Sequence, residues 1–191
     1  MVNCQKICVI GAGGWGRNHI NTQNKLNCLY GIIDSDVSIL NTYHEINSYC
    51  KFFNDIESSL GEDFDGYVIA SPPTTHYKIG KKILKKSKPV LIEKPLTLNL
   101  KDALELNELS KKHKTNLYVG HLLLFHPAYM KIKEIIKSNK IGNIQYIYSN
   151  RLNLGKIRQD ENVFWSFAPH DIALFQFFLN SFPEKIDSDG I

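Results

Sequence analysis

A short apolar run that ends in three spaced glycines constrains the fold of this chain more than any other segment. The run covers residues 7–10, and Gly11, Gly13 and Gly16 follow with the spacing G-x-G-x-x-G. Glycines at this spacing let the backbone turn tightly after a buried strand and pack the next helix closely on it. The helix then offers unpaired N–H groups to an anion. The segment predicts a strand, a phosphate-binding turn and a helix, although the pattern alone is weak.

Strand-like runs alternate with helical patterns as far as residue 120. The predicted strands cover Lys6–Ile10, Leu29–Ile33, Lys51–Phe53, Asp65–Ala70, Pro89–Ile92 and Asn116–Gly120. A first helix is predicted to follow the glycine turn and to end near Leu26. Two further helices are predicted over Thr75–Ser87 and Asn99–His113, and residues 35–49 show weak helical spacing. Repeated βαβ units imply a parallel sheet with right-handed crossovers. The expected class is α/β, with a doubly wound parallel sheet in a first domain of residues 1–122.

The pattern changes after Gly120, and we expect a second domain over residues 123–191. A helix is predicted from Pro127 to about Ser138, because proline suits the first helical position. A long run of aromatic and β-branched residues predicts a strand over Ile144–Leu154. Pro169 is expected to open an apolar helix through Leu179, and Pro183–Ile191 is expected to form another strand.

Composition excludes several classes of partner. The 191 residues carry a net charge of +4, and no apolar stretch approaches the roughly 20 residues that cross a bilayer. The N-terminus has no charged segment followed by a cleavage site, so we expect a cytoplasmic protein without a membrane partner. The lysines of the predicted helix Thr75–Ser87 form a solvated face without interleaved aromatic residues, which argues against nucleic acid. The four cysteines form no CxxC pair, and neither a metal site nor a disulfide is expected.

Polar and glycine-rich turns follow most of the predicted strands. They are Gly11–Gly16, Asp34, Ser71-Pro72-Pro73, Glu93-Lys94-Pro95 and Gly120-His121. Ligands of doubly wound sheets bind at this edge. Asp34, 18 residues after Gly16, is placed to accept the ribose hydroxyls of NAD and to repel the 2′-phosphate of NADP. The predicted cofactor is therefore NAD rather than NADP, unless Asp34 is an ordinary surface residue in a turn.

Two residues are candidates for proton transfer. Lys94 lies at the binding edge beside a proline that fixes the turn, and Glu93 could hold it in place; otherwise it is a surface lysine. His170 precedes Asp171 in the predicted apolar helix. It could exchange a hydroxyl proton near neutral pH, or it could be a hydrogen-bonded core histidine.

Together these motifs, with Thr74-Thr75-His76 and His170-Asp171, resemble the glucose-fructose oxidoreductase / inositol dehydrogenase family, called Gfo/Idh/MocA. The resemblance covers nearly the whole chain, and Glu93-Lys94-Pro95 is its most specific mark. The stretches from Gly120 to Ala128, Ser149 to Gly155 and Val163 to Asp171 resemble the nucleotide-sugar branch, such as the UDP-N-acetylglucosamine 3-dehydrogenases.

The resemblance implies an N-terminal Rossmann domain and an α+β second domain with an open, mostly antiparallel sheet. It implies oxidation of a sugar hydroxyl by NAD(P), with Lys94 at the substrate hydroxyl and the nicotinamide and with His170 as the acid/base candidate. Ser71, Pro72 and His76 would lie along the cofactor. The full set expected at the cofactor is Gly11, Gly13, Gly14, Trp15, Gly16, Asp34, Ser71, Pro72, His76, Glu93 and Lys94.

The sequence departs from the family at two points. Many members carry an aspartate four residues before the active-site histidine, where this chain has Ser166. A carboxylate–histidine dyad is therefore not expected in that form, and the division of work between Lys94 and His170 is open. Members are also usually much longer, so we expect a fragment or truncated product that stops inside the second domain.

The leading hypothesis is an NAD-dependent dehydrogenase of a UDP-linked N-acetylhexosamine or hexuronate, assembling as a homo-oligomer if full length. The expected substrate contacts are His121, Arg151, Lys156 and Arg158. The last three would bind the diphosphate, or else are solvated charges. The alternatives are an inositol or free-sugar dehydrogenase of the same family, and a non-catalytic NAD-binding protein.

Overall fold

The computed structural model describes residues 5–46, 48–152 and 162–189. The chain forms two compact units, Met1–Gly120 and His121–Ile191. Among the described residues, no helix has both the length and the apolar character needed to cross a membrane.

The first unit is built on one six-stranded parallel sheet. Its strands are β1 (Ile7–Ile10), β2 (Leu29–Ile33), β3 (Lys51–Phe53), β4 (Gly66–Ile69), β5 (Val90–Ile92) and β6 (Leu117–Val119). Their order is β3-β2-β1-β4-β5-β6. All five pairings are parallel. The order reverses between β1 and β4, and ligands of such sheets bind at this switch point. The predicted α/β class and its six strands are confirmed.

Helices connect the strands, and local chemistry sets where they begin. They are α1 (Gly16–Lys25), α2 (Val37–Asn41), α3 (Pro73–Lys85) and α4 (Leu100–Lys112), with a short 3-10 helix at Glu57–Ser59. Pro73 occupies the first turn of α3, where the missing N–H is not needed. Asn99 caps α4 by accepting from the backbone N–H of Asp102.

Two apolar clusters cover the two faces of this sheet. Cys8 and Ile10 belong to one cluster, and Val9 between them belongs to the other. Successive residues of a strand point to opposite faces, so β1 is buried on both sides, as is usual for a central parallel strand. Burial of both faces leaves the ends of the strands as the places where polar side chains can meet a ligand.

The second unit is helical in the described residues, which corrects two predictions. It contains a 3-10 helix at Leu122–Phe125, α5 (Pro127–Lys137) and α6 (Val163–Leu179). No strand is present over residues 144–152 or 183–189, the described parts of the two predicted strands. Strands need a neighbour for their backbone hydrogen bonds, and none pairs with these segments within the described ranges. The predicted antiparallel sheet is therefore not observed in the part of the second unit that the structure describes.

Helix α6 also begins earlier than predicted. Its N-cap is Asn162, whose side chain accepts from the backbone N–H of Trp165, and Pro169 lies inside the helix. Asn162 sets the start of the helix, although Pro169 suggested a later one, because its side chain satisfies a backbone N–H group of the first turn. His170 therefore lies within α6 rather than at its start.

Candidate functional site

The glycine turn follows the C-terminal end of β1 and leads into α1. Gly11 has a φ of +89°, and a Cβ at this residue would lie 2.5 Å from the backbone nitrogen of Ser71. A Cβ at Gly16 would overlap the carbonyl oxygen of Gly11. Only glycine fits at both positions, because the atoms that would have to move belong to the backbone. The fold of the turn itself requires these two glycines.

Gly13 and Gly14 lie in open space, unlike Gly11 and Gly16. Apart from chain neighbours, no described atom lies within 4 Å of a Cβ built at either residue, and neither has a positive φ. The protein itself could therefore accommodate an alanine at both positions. The N-terminus of α1 beside them favours a negatively charged group. This open cradle fits the pyrophosphate of a dinucleotide.

Asp34 lies one residue beyond β2, and its carboxylate is tied to the glycine turn. The backbone N–H of Ala12 donates to Oδ2 over 2.7 Å, and the backbone N–H of Asp36 donates to Oδ1 over 2.9 Å. Each carboxylate oxygen keeps a lone pair for a further donor. The half-buried carboxylate thus shapes the turn and remains able to accept ribose hydroxyl groups.

The turn after β4 is held by His76, which lies in the first turns of α3. His76 is 1% exposed. Its Nδ1 lies 2.9 Å from the carbonyl oxygen of Pro95, and its Nε2 lies 2.8 Å from the carbonyl oxygen of Ser71. Each ring nitrogen therefore lies within hydrogen-bonding distance of a backbone carbonyl oxygen, and a ring nitrogen that carries a proton donates to it. In this structure His76 supports two turns at the sheet edge, whereas Ser71 and Pro72 lie nearer the surface.

The turn after β5 carries Lys94, which is half-buried and joined to Pro95 by a cis peptide bond. Glu93 before it is only 8% exposed. Its Oε1 lies 2.7 Å from His19 Nε2, and the backbone N–H of Lys94 reaches its Oε2 over 3.3 Å. Burial alone would raise the pKa of Glu93, but hydrogen bonds from His19 and the Trp15 indole together lower that pKa below its ordinary value. Glu93 is therefore a carboxylate at neutral pH.

Sequence reasoning missed His19, although a signal was present. Trp15 and His19 are four residues apart, a spacing that places side chains on one face of a helix. Both side chains reach Glu93, which is 74 residues from His19 in the chain. The sequence indicated that Trp15 and His19 share a helical face, but it did not indicate that Glu93 is their partner.

In the second unit, Arg151 forms a paired contact with Asp171. Arg151 Nε donates to Asp171 Oδ2 over 2.7 Å, and Nη2 donates to Oδ1 over 2.9 Å. Ser149 also donates to Oδ1, over 3.0 Å. The bond from Arg151 lowers the pKa of Asp171, although burial opposes it. Arg151, predicted to contact a diphosphate, therefore already has an anionic partner next to His170.

The other predicted substrate contacts are separated along the chain. His121 comes directly after Gly120 and before the 3-10 helix Leu122–Phe125. Lys156 and Arg158 lie outside the described residues. Ser166 and His170 are four residues apart within α6, so they share one helical face.

A parallel sheet of this order, with an open glycine turn and a carboxylate after β2, defines a dinucleotide-binding Rossmann domain. Residues 5–121 match the Gfo/Idh/MocA model, described as an oxidoreductase family with an NAD-binding Rossmann fold. The chain belongs to this family, as the resemblance predicted. The same match confirms the predicted NAD-binding domain, whereas the preference for NAD over NADP stays a prediction.

Three known proteins illustrate the similarity. The chain is 26% identical over 185 residues to a UDP-N-acetylglucosamine 3-dehydrogenase of Acidithiobacillus ferrooxidans, covering 96% of this chain and 57% of that protein. It is 28% identical over 144 residues to an inositol 2-dehydrogenase of Corynebacterium glutamicum, covering 73% and 43% respectively. The crystal structure of scyllo-inositol dehydrogenase from Lactobacillus casei with NAD(H) and scyllo-inositol superposes with a TM-score of 0.78 at 19% identity, covering 92% and 56%. The chain thus spans about half the length of these relatives.

Proposed function

We propose that this protein oxidises a hydroxyl group of a sugar with NAD, and that Lys94 handles the hydroxyl proton. The observation that carries the proposal is the link between two turns at the sheet edge. Glu93, next to Lys94, is bound by His19 in α1 and by Trp15 at the N-cap of that helix, within the glycine turn. The residue that would act on the substrate is thereby tied to the segment that would hold the cofactor.

The chain's own residues supply binding and proton transfer. The cradle at Gly13 and Gly14 receives the pyrophosphate, and Asp34 accepts the ribose hydroxyls. Bound NAD supplies a nicotinamide ring that accepts a hydride. Lys94 is the proposed acceptor of the proton from the hydroxyl that is being oxidised.

His170 is the second candidate for proton transfer. The serine at residue 166 removes the carboxylate that accompanies this histidine in many family members. Asp171 is held by Arg151 and Ser149, so its carboxylate is directed toward them. We therefore assign the primary proton transfer to Lys94.

The proposed substrate is a UDP-linked N-acetylhexosamine or hexuronate. Its support is the alignment with the UDP-N-acetylglucosamine 3-dehydrogenase, which extends over 96% of this chain. The alternative is inositol or a free sugar, supported by the inositol dehydrogenases among the relatives. We propose cytoplasmic localisation and a homo-oligomeric enzyme.

A substrate panel tests the proposal directly. The purified protein is mixed with NAD and with UDP-N-acetylglucosamine, UDP-glucuronate, myo-inositol or glucose, and NADH absorbance is followed. Turnover of a UDP-sugar but not of the free compounds is the expected result. Turnover of myo-inositol alone would replace the proposed UDP-sugar substrate with inositol. Calorimetric NAD binding without turnover of any compound would identify a non-catalytic NAD-binding protein.

Asp34→Asn is expected to reduce the preference for NAD over NADP by roughly tenfold, which corresponds to ~1.4 kcal/mol. The amide can still accept from the N–H of Ala12, but it lacks the charge that repels a 2′-phosphate. Asp36→Asn is the matched control, because Asp36 is exposed and caps α2. Calorimetry with both cofactors measures the ratio. An equal change in both variants would show that only net charge matters and would contradict the ribose assignment.

A further inference from the structure

The residues on either side of Lys94 are each bound by a histidine from a different helix. On the N-terminal side, Glu93 Oε1 lies 2.7 Å from Nε2 of His19 in α1, and the two side chains are 10% and 20% exposed. On the C-terminal side, the carbonyl oxygen of Pro95 lies 2.9 Å from Nδ1 of His76 in α3. The Lys94 turn is thus attached to two helices that flank the switch point of the sheet.

The His19 side of this arrangement leaves Glu93 little freedom. The Trp15 indole also donates to the carboxylate, and the backbone N–H of Lys94 approaches Oε2. On the remaining side, Gly120 is packed so closely that a Cβ there would lie 2.8 Å from Oε2. A buried carboxylate with these partners is fixed, because losing any hydrogen bond would leave charge poorly solvated.

The His76 side fixes the backbone after Lys94. The ring is 1% exposed, and its second nitrogen is engaged with the carbonyl oxygen of Ser71. One side chain therefore connects the turn after β4 to the turn after β5. The position of Lys94 is set from both directions, while its own side chain extends from the held backbone.

We propose that His19 and His76 are positioning residues for Lys94: by holding Glu93 and Pro95 they fix where the amine is presented at the sheet edge. Neither histidine acts on the substrate. This inference depends on the proposed function in one respect only, which is that the Lys94 amine takes part in proton transfer. A displacement of about 1 Å at a reacting group can cost roughly 100-fold in rate, so the expected losses are large.

The kinetic test uses His19→Gln and His76→Gln, with His44→Gln as the matched control. His44 is an exposed histidine whose ring contacts Phe52. We expect turnover to fall by roughly 10- to 100-fold in the first two variants, with the NAD dissociation constant within about threefold of the parent. In a Lys94→Ala background, either histidine substitution should lower turnover no further, because each acts through Lys94. A loss of NAD affinity equal to the loss of turnover would overturn the proposal.

A second measurement does not need catalysis and separates this inference from the proposed function. The rate at which an amine-selective reagent labels Lys94, relative to exposed Lys101, is followed by mass spectrometry. The ratio should change at least about twofold in His19→Gln and His76→Gln and stay constant in His44→Gln. Should buried His76→Gln fail to fold, the partly exposed His19 gives the deciding variant. An unchanged ratio would overturn the positioning role. If the ratio changes in the histidine variants but Lys94→Ala retains full turnover, the positioning role stands and the proposed catalysis is rejected.

Discussion

Gly16→Ala is expected to destabilise the first unit by about 3 kcal/mol or more, as measured by urea unfolding. The added Cβ would overlap the carbonyl oxygen of Gly11, so α1 would have to move away from the end of β1. Backbone atoms on both sides of the contact leave no side chain that could give way. The expected result is a lower unfolding midpoint together with the loss of NAD binding.

Gly13→Ala is the matched control, and it should show the opposite pattern. Its Cβ meets no described atom within 4 Å, so the free energy of unfolding should stay equal or rise by about 0.5 kcal/mol. NAD affinity should nevertheless fall by roughly tenfold or more, because the methyl group occupies the proposed position of the pyrophosphate. Unchanged NAD affinity in Gly13→Ala would contradict this placement. An unchanged midpoint in Gly16→Ala would contradict the packing of the turn.

Lys94→Ala is expected to lower turnover by roughly 10³- to 10⁴-fold while leaving the NAD dissociation constant within about twofold. The amine is the proposed proton acceptor, whereas the cradle and Asp34 hold the cofactor. Lys94→Arg separates the proton role from the charge, because a guanidinium keeps its proton throughout the accessible pH range. It should be nearly as inactive as the alanine variant.

The control for this experiment is Lys101→Ala, which removes an exposed lysine from the start of α4. Stopped-flow measurement of NADH formation would report the chemical step in each variant. Near-normal turnover in Lys94→Ala would transfer the proton role to another group, with His170→Ala as the next variant to measure. Activity in Lys94→Arg would show that a positive charge is sufficient.

The sheet of the first unit was predictable because most of its strands are short apolar runs with a clear end. Glycines, Asp34, prolines and Lys94 mark most of those ends, and the sheet buries the central strands β1, β2, β4 and β5 most fully. The second unit gave no such signals. Its aromatic run over Ile144–Leu154 has strand-forming residues, but strands form only where a neighbour accepts their hydrogen bonds.

The candidate site was predictable as a set of turns but not as a network. Spacing from the glycine turn pointed to Asp34, and position at the end of a buried strand pointed to Lys94, whose role came from the family resemblance. The hydrogen bond from the Ala12 N–H to Asp34 and the bonds of His19 and His76 depend on contacts between distant parts of the chain. Helical spacing could suggest which face of α1 is used, but not that Glu93 would be its partner.

The hydrogen bond between Asp34 and Ala12 bears on how this domain could evolve. The same carboxylate that is proposed to select the ribose also closes the turn that would receive the phosphates. A substitution that removes the acceptor oxygen of residue 34 would therefore loosen the turn as well. Asparagine at this position would keep an acceptor for Ala12, whereas a residue without a side-chain acceptor would alter the ribose contact and the turn together, so the choice of residue 34 is limited by both.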